Sequence, residues 1–170
     1  LRNRAMISIM LGGGLRCEEV VSLTIGDLDW MVGKLHIKNG KGAKDRVLWL
    51  NEKTLDDLRA WRESRAKVVG SDGPKEILFS TLKGKKVHPS YLRQMIPRMA
   101  KRAGIEKRVY PHLLRHTFAT WLYKQDRNLR LTQTALGHSS IQTTEIYTHL
   151  VNNELEDALR NYQIGGGGKG

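Results

Sequence analysis

Cysteine is almost missing from this chain: Cys17 is the single one among 170 residues. An internal disulfide is therefore excluded, and a cysteine-based structural zinc site has no ligands to draw on. A reducing compartment follows as the default, so the expected location is the cytoplasm. Long apolar runs are missing too. Lys, Arg, Asp or Glu interrupts the hydrophobic positions every few residues, and no segment approaches the roughly 20 apolar residues of a membrane span. Leu1 to Leu11 sets Arg2 and Arg4 before an apolar stretch, as a secretory leader does. It lacks the small-residue cleavage site and reads as a helix. No internal repeat is present. Acids are few beside bases, 17 Asp and Glu against 29 Lys and Arg, for a formal charge of +12. Such an excess attracts polyanions and puts nucleic acid first among partners, the plain alternative being a merely solubilising basic surface.

What is there suits one domain: 39% of the residues are apolar, and 170 residues can enclose one hydrophobic core. Leu1 is not an initiator methionine, and the chain enters at once with a helical pattern through Met6, Ile7, Ile9, Met10 and Leu11, as if cut from something larger. Gly12, Gly13 and Gly14 are expected to end that helix. A second helix is expected over about 16–23, with Val20, Val21 and Leu23 turned to the core. From Ile25 to Leu50 the period becomes two, the mark of strands. Leu35 and Ile37 alternate with polar residues, and Val47 and Trp49 are expected to mirror them beyond the turn Asn39-Gly40-Lys41-Gly42. Asn51 is suited to cap a helix in which Leu55, Leu58 and Trp61 share a face. The lysine-rich stretch 81–87 reads as a loop. His88-Pro89-Ser90 opens a helix with Leu92, Met95, Ile96, Met99 and Ala103 on one stripe, and Pro97 is expected to kink it. Further helices are expected over 111–124, 131–136 with Gly137 as the stop, 140–150, and 152–164. Gly165 to Gly170 reads as a flexible tail. The fold class is α+β and mainly α, with a small antiparallel sheet or hairpin.

Four segments carry residue types suited to chemistry: GGGLRCEEV around Arg16, NGKGAKDR around Lys41, PHLLRHTFAT around His112 and Arg115, and LGHSSIQTTEIYTHL around His138 and Tyr147. Together and in this order they resemble the tyrosine recombinases, which include the phage integrases and the Xer-like site-specific recombinases. The resemblance runs from Leu1 to about Leu150, and the nine-residue step from His138 to Tyr147 matches the family. It implies the catalytic core shared with type IB topoisomerases, and site-specific DNA recombination and integration through a 3′-phosphotyrosyl intermediate, with neither metal nor ATP. By position, Arg16 and Arg115 are the two catalytic arginines, Lys41 the lysine near the leaving oxygen, and Tyr147 the nucleophile. His112 stands three residues before the second arginine, and His138 where some members carry tryptophan. Lys44 is the second candidate for the lysine, and Glu19 matches an acidic position that holds the first arginine.

The chemistry suits these residue types. Attack at phosphorus builds charge on two non-bridging oxygens, which two planar guanidinium groups can clamp. A tyrosine with a solution pKa of roughly 10 needs a proton acceptor, for which His112 is suited. The departing 5′ oxygen needs a proton, which a lysine can supply, and His138 can donate to a phosphate oxygen. The covalent link keeps the bond energy for rejoining, so no cofactor is expected.

Plainer readings exist for each residue. Arg16 and Glu19 can be a structural ion pair, Lys41 and Lys44 ordinary turn charges, and Tyr147 and Tyr123 packed aromatics. His112 and His116 have the spacing of zinc ligands, but Arg115 between them repels a cation and no glutamate base intervenes, so no metal is expected. Phe118, Ala119, Trp121 and Leu122 are expected in the core. Two further functions compete: relaxation of DNA in the manner of a type IB topoisomerase, and an inactive DNA-binding module.

The partners expected are a double-stranded recombination site and, on it, three more copies of the chain, with no membrane and an association with the nucleoid. The catalytic domain is expected to span 1–164. Its last helix, 152–164, corresponds in the family to a segment exchanged between protomers, and the sequence leaves docking in cis or in trans open. Nothing in the chain corresponds to the amino-terminal core-binding domain of full-length members, so weak, salt-sensitive DNA binding is expected.

Overall fold

The computed structural model describes residues 1–38, 45–137, 156, 159 and 160. The expected helices over 140–150 and 152–164 lie outside these, apart from the last three positions. The chain forms two compact units, Leu1–Ser139 and Ser140–Gly170. In the second, Arg160 bonds back one turn to Glu156 Oε1 through Nε at 2.9 Å and Nη2 at 2.7 Å.

The first unit is α+β and mainly helical. Its helices are α1 (Arg2–Gly13), α2 (Cys17–Ser22), α3 (Glu52–Val69), α4 (Pro89–Arg102), α5 (Pro111–Asp126) and α6 (Leu129–Leu136). Between α2 and α3 lies an antiparallel sheet of β1 (Leu28–Asp29), β2 (Lys34–Ile37) and β3 (Arg46–Trp49), in that order. Among the described residues no helix is long and apolar enough to cross a membrane.

The core forms around α1, which packs against α3 on one side and α5 on the other. A helix covered on two sides needs apolar residues around more of its circumference. Ala5, Met6, Ile9 and Met10 are accordingly all buried. Leu55, Leu58 and Trp61 of α3 meet this layer, as the sequence pattern predicts. Each such Leu, Ile or Met contributes about 1.5–3 kcal/mol when fully buried. Asn51 does cap α3, its side chain accepting the Thr54 N–H at 2.9 Å. The glycine run ends α1 as expected: Gly12 and Gly13 are its last two residues, lying close to Thr54 of α3 and to Leu15 respectively, and Gly14 is the left-handed cap.

Four apolar positions differ from the sequence reading. In the sheet, Leu35 pairs with Leu48 and Ile37 with Arg46. The inward face of β3 is therefore Arg46 and Leu48, while Val47 and Trp49 face outward, 37% and 67% exposed. In α4 the buried stripe ends at Ala100, one turn short of Ala103, which is exposed beyond the helix end. In α5, Ala119 is buried but Trp121 is 64% exposed, because α1 and α6 cover other faces of that helix. Phe118 and Leu122 lie between, half-buried.

Candidate active site

Gly14 ends α1 in left-handed geometry, φ +62°, and its N–H returns to the Met10 carbonyl at 3.1 Å. Leu15 drops into the core and Arg16, in extended geometry, begins α2 as its N-cap. Glu19, one turn on, reaches back: Oε2 accepts the Arg16 backbone N–H at 2.8 Å and Oε1 accepts from Arg16 Nη1 at 3.3 Å. The first bond is the acidic half of a capping box; an arginine side chain has no acceptor to supply the other half. The Arg16 side chain stays 43% exposed.

A second arginine reaches Glu19 from the sheet. Arg46 opens β3 and donates Nη1 to Oε1 at 2.7 Å and Nη2 to Oε2 at 2.9 Å, a two-pronged bond with both partners buried. Its Nε donates to the Ala135 carbonyl, near the end of α6, at 2.9 Å. Arg115 comes from α5. It is 5% exposed and donates through Nη1 to the Gly14 carbonyl and through Nη2 to the Leu136 carbonyl, the latter at 2.7 Å. Those oxygens close the C-terminal ends of α1 and α6, where carbonyls without helical partners carry partial negative charge and favour a cation.

Burial by itself would push the Glu19 carboxyl up. Hydrogen bonds from Arg46 and from the Arg16 N–H, with the fields of Arg46 and Arg115, outweigh that and hold it below its ordinary range. Glu19 is thus a carboxylate at neutral pH, bonded by the guanidinium groups of Arg16 and Arg46 and within the field of Arg115. Such a cluster can receive a second anion on the exposed Arg16 side.

His112 sits one turn before Arg115 on α5 and is exposed. One turn after His112, His116 is held below the ordinary histidine range by burial first, then by the field of His112. On the sheet, Lys38 Nζ is held by the buried Asp27 Oδ1 at 2.7 Å. The segment 39–44 is thus preceded by the Lys38 ion pair and followed within two residues by Arg46.

Of the six residues expected to act, the structure seats Arg115 on the carbonyl of Gly14, two residues before Arg16, and sets His112 on the helix that carries Arg115. Lys41, His138 and Tyr147, with Lys44, lie outside the described residues. Arg46 was missed by the sequence reading. Its signal is the strand register: counted back from Leu48, a charged residue falls on the buried face, which requires a partner.

A model of the phage integrase family matches residues 1–154. The chain is 37% identical over 158 residues to a tyrosine recombinase of Pseudothermotoga lettingae, covering 93% of this chain and 53% of that one. It is 36% identical over 158 residues to tyrosine recombinase XerD of Pseudomonas aeruginosa, covering 92% and 52%. The chain thus spans about half the length of these relatives. Among solved structures, the XerA recombinase superposes with a TM-score of 0.80 at 32% identity, over 95% of this chain and 60% of that one. The XerH site-specific recombinase, in a post-cleavage complex with palindromic difH substrate, superposes with a TM-score of 0.76 at 35% identity, over 94% and 45%.

Proposed function

The chain belongs to the phage integrase family, and on that footing we propose that it cleaves and rejoins duplex DNA at specific sites through Tyr147. The observation that carries the proposal is that Arg115, from a segment about a hundred residues away, is seated on the Gly14 carbonyl, two residues before Arg16.

The Tyr147 oxygen attacks phosphorus and gives its proton to His112. Arg16 and Arg115 hold the charge that builds on the non-bridging oxygens, and His138 donates to one of them. Lys41, with Lys44 as the second candidate, protonates the departing 5′ oxygen. The P–O5′ bond breaks as the P–O bond to tyrosine forms, leaving a 3′-phosphotyrosyl link and a 5′ hydroxyl. Attack by another 5′ hydroxyl reverses the step with no input of energy. The relatives described above are recombinases, which favours strand exchange over relaxation of a supercoiled circle. On DNA the assembly is a homo-tetramer, with 1–164 as the catalytic domain and 152–164 docked in cis or in trans, and the enzyme works in the cytoplasm on the nucleoid.

Incubation with a nicked suicide duplex carrying the protein's recombination site tests this. The expected result is a covalent protein–DNA adduct that resists denaturation and is lost in Tyr147→Phe. An adduct that survives that substitution removes Tyr147 from the role.

A further inference from the structure

We propose that Arg46 is a positioning residue: by occupying both oxygens of Glu19 it prevents that carboxylate from capturing Arg16, and so keeps the Arg16 guanidinium available to a DNA phosphate. This rests on the reading of Arg16 as a phosphate-binding arginine given above.

Glu19 and a phosphate are competitors for the same donor. A carboxylate binds a guanidinium fork as well as a phosphate does, and a buried carboxylate with unfilled acceptor sites draws the nearest donor to itself. The distances record how that contest is decided. Arg46 makes two bonds to Glu19, at 2.7 and 2.9 Å, from a side chain that is 5% exposed. Arg16 makes one longer side-chain bond, at 3.3 Å, from a side chain that is 43% exposed. The carboxylate is satisfied from the interior, and the outer arginine is held only by its edge.

Arg46 itself has little room to move. Its Nε is fixed on the Ala135 carbonyl and its backbone on Ile37 in the sheet. At Gly137 a Cβ would come within 3.0 Å of Arg46 Cδ and Nη1. That glycine serves twice: it adopts φ +68° to end α6, and it leaves space for the arginine to pass. One guanidinium therefore ties together α2, the end of α6 and the strand that follows residues 39–44. Without it, Glu19 keeps the Arg16 backbone N–H at 2.8 Å, and the side-chain donor already bonded to it is Arg16 Nη1, exposed enough to swing inward and close the 3.3 Å gap.

The experiment measures single-turnover adduct formation by the full chain on a suicide duplex, at saturating DNA. Arg46→Gln is expected to slow cleavage by about 10²-fold, as loss of a preorganised donor at a reacting phosphate does. The deciding variant is the double substitution Arg46→Gln with Glu19→Gln, which removes the competitor along with the residue that restrained it. It is expected to cleave about tenfold faster than Arg46→Gln alone, a coupling of the size found between residues in direct contact. Removing the unpaired carboxylate also relieves a buried charge, so urea midpoints are measured beside the rates. A gain in rate in the double variant that only follows a gain in folded fraction at the assay temperature marks a purely structural role and overturns the proposal. A double variant equal to or slower than the single one overturns the proposal, as does an Arg46→Gln protein that cleaves at the normal rate. Should circular dichroism show Arg46→Gln to be unfolded, Arg46→Lys carries the same comparison: adding Glu19→Gln to it must speed cleavage. Failure of the unsubstituted chain to form any adduct is a separate result and overturns the role of Tyr147 instead.

Discussion

Glu19 shows how much a single buried acid can organise. It caps α2, meets Arg46 face to face and touches the outer arginine, and its ionised form is what all three contacts need. Its folded-state pKa lies below the ordinary value, as do those of Asp27 and Asp57, the latter held by Ser8 and by Arg4 at 2.7 Å. Groups shifted in this direction give their full stabilisation above the unfolded pKa, about 4.3 for glutamate, and lose it as pH falls through the folded value. Urea midpoints are therefore expected to be level from pH 7 to 8, to decline as pH falls below about 6.5, where His116 is protonated more readily in the unfolded chain, and to fall further below about pH 4.3. Glu19→Gln should flatten part of that acid limb at the cost of a lower plateau. An unchanged acid limb in that variant would show that Glu19 is not among the groups responsible. Arg16, Arg115 and Glu19 were legible in the sequence because short motifs carry them. Arg46 was not, because its direction depends on strand pairing across residues 39–44, and a slip of one residue turns every side chain to the other face.

Among the elements, helix ends were read more reliably than helix faces. Asn51, Gly137 and the His88-Pro89 entry are local signals, and each ends or begins a helix as expected. Which side a helix buries depends on neighbours that no local pattern names. Trp121 was assigned to the core by its chemistry and lies outside it, since α1 and α6 dock elsewhere on α5. The junction of α1 and α2 is the place where an end and a site coincide. Gly14 has left-handed geometry, its added Cβ would strike the Phe118 ring, and its carbonyl accepts Arg115. Gly14→Ala is expected to lose at least about 1–2 kcal/mol in chemical denaturation from the backbone alone, with the clash added to that. Gly70→Ala supplies the control, as it has φ +77° with nothing within 4 Å of a new Cβ. Equal losses in the two variants would mean that Phe118 yields without cost. Cleavage should fall in Gly14→Ala and not in Gly70→Ala.

Over the molecule as a whole, the excess of positive charge is larger than the site can account for, since Arg16, Arg46 and Arg115 are offset in part by Glu19. The remainder is available to the DNA backbone. Binding of a duplex is expected to weaken linearly in log–log plots against salt, by about 0.9 for each phosphate neutralised. A slope near zero would contradict a backbone-driven footprint. The sequence showed this charge at once, together with the family and the class of fold, because composition and ordered motifs do not depend on how segments pack. The site, in contrast, required tertiary contacts to appear. One of them spans the unit from end to end: Arg115 rests on the peptide oxygens of Gly14 and Leu136. No exchange of one amino acid for another can delete a peptide oxygen. Gly14 apart, the seat of this arginine thus depends less on lettering than on length, so a residue inserted between Gly14 and Arg16 would do what few replacements there can.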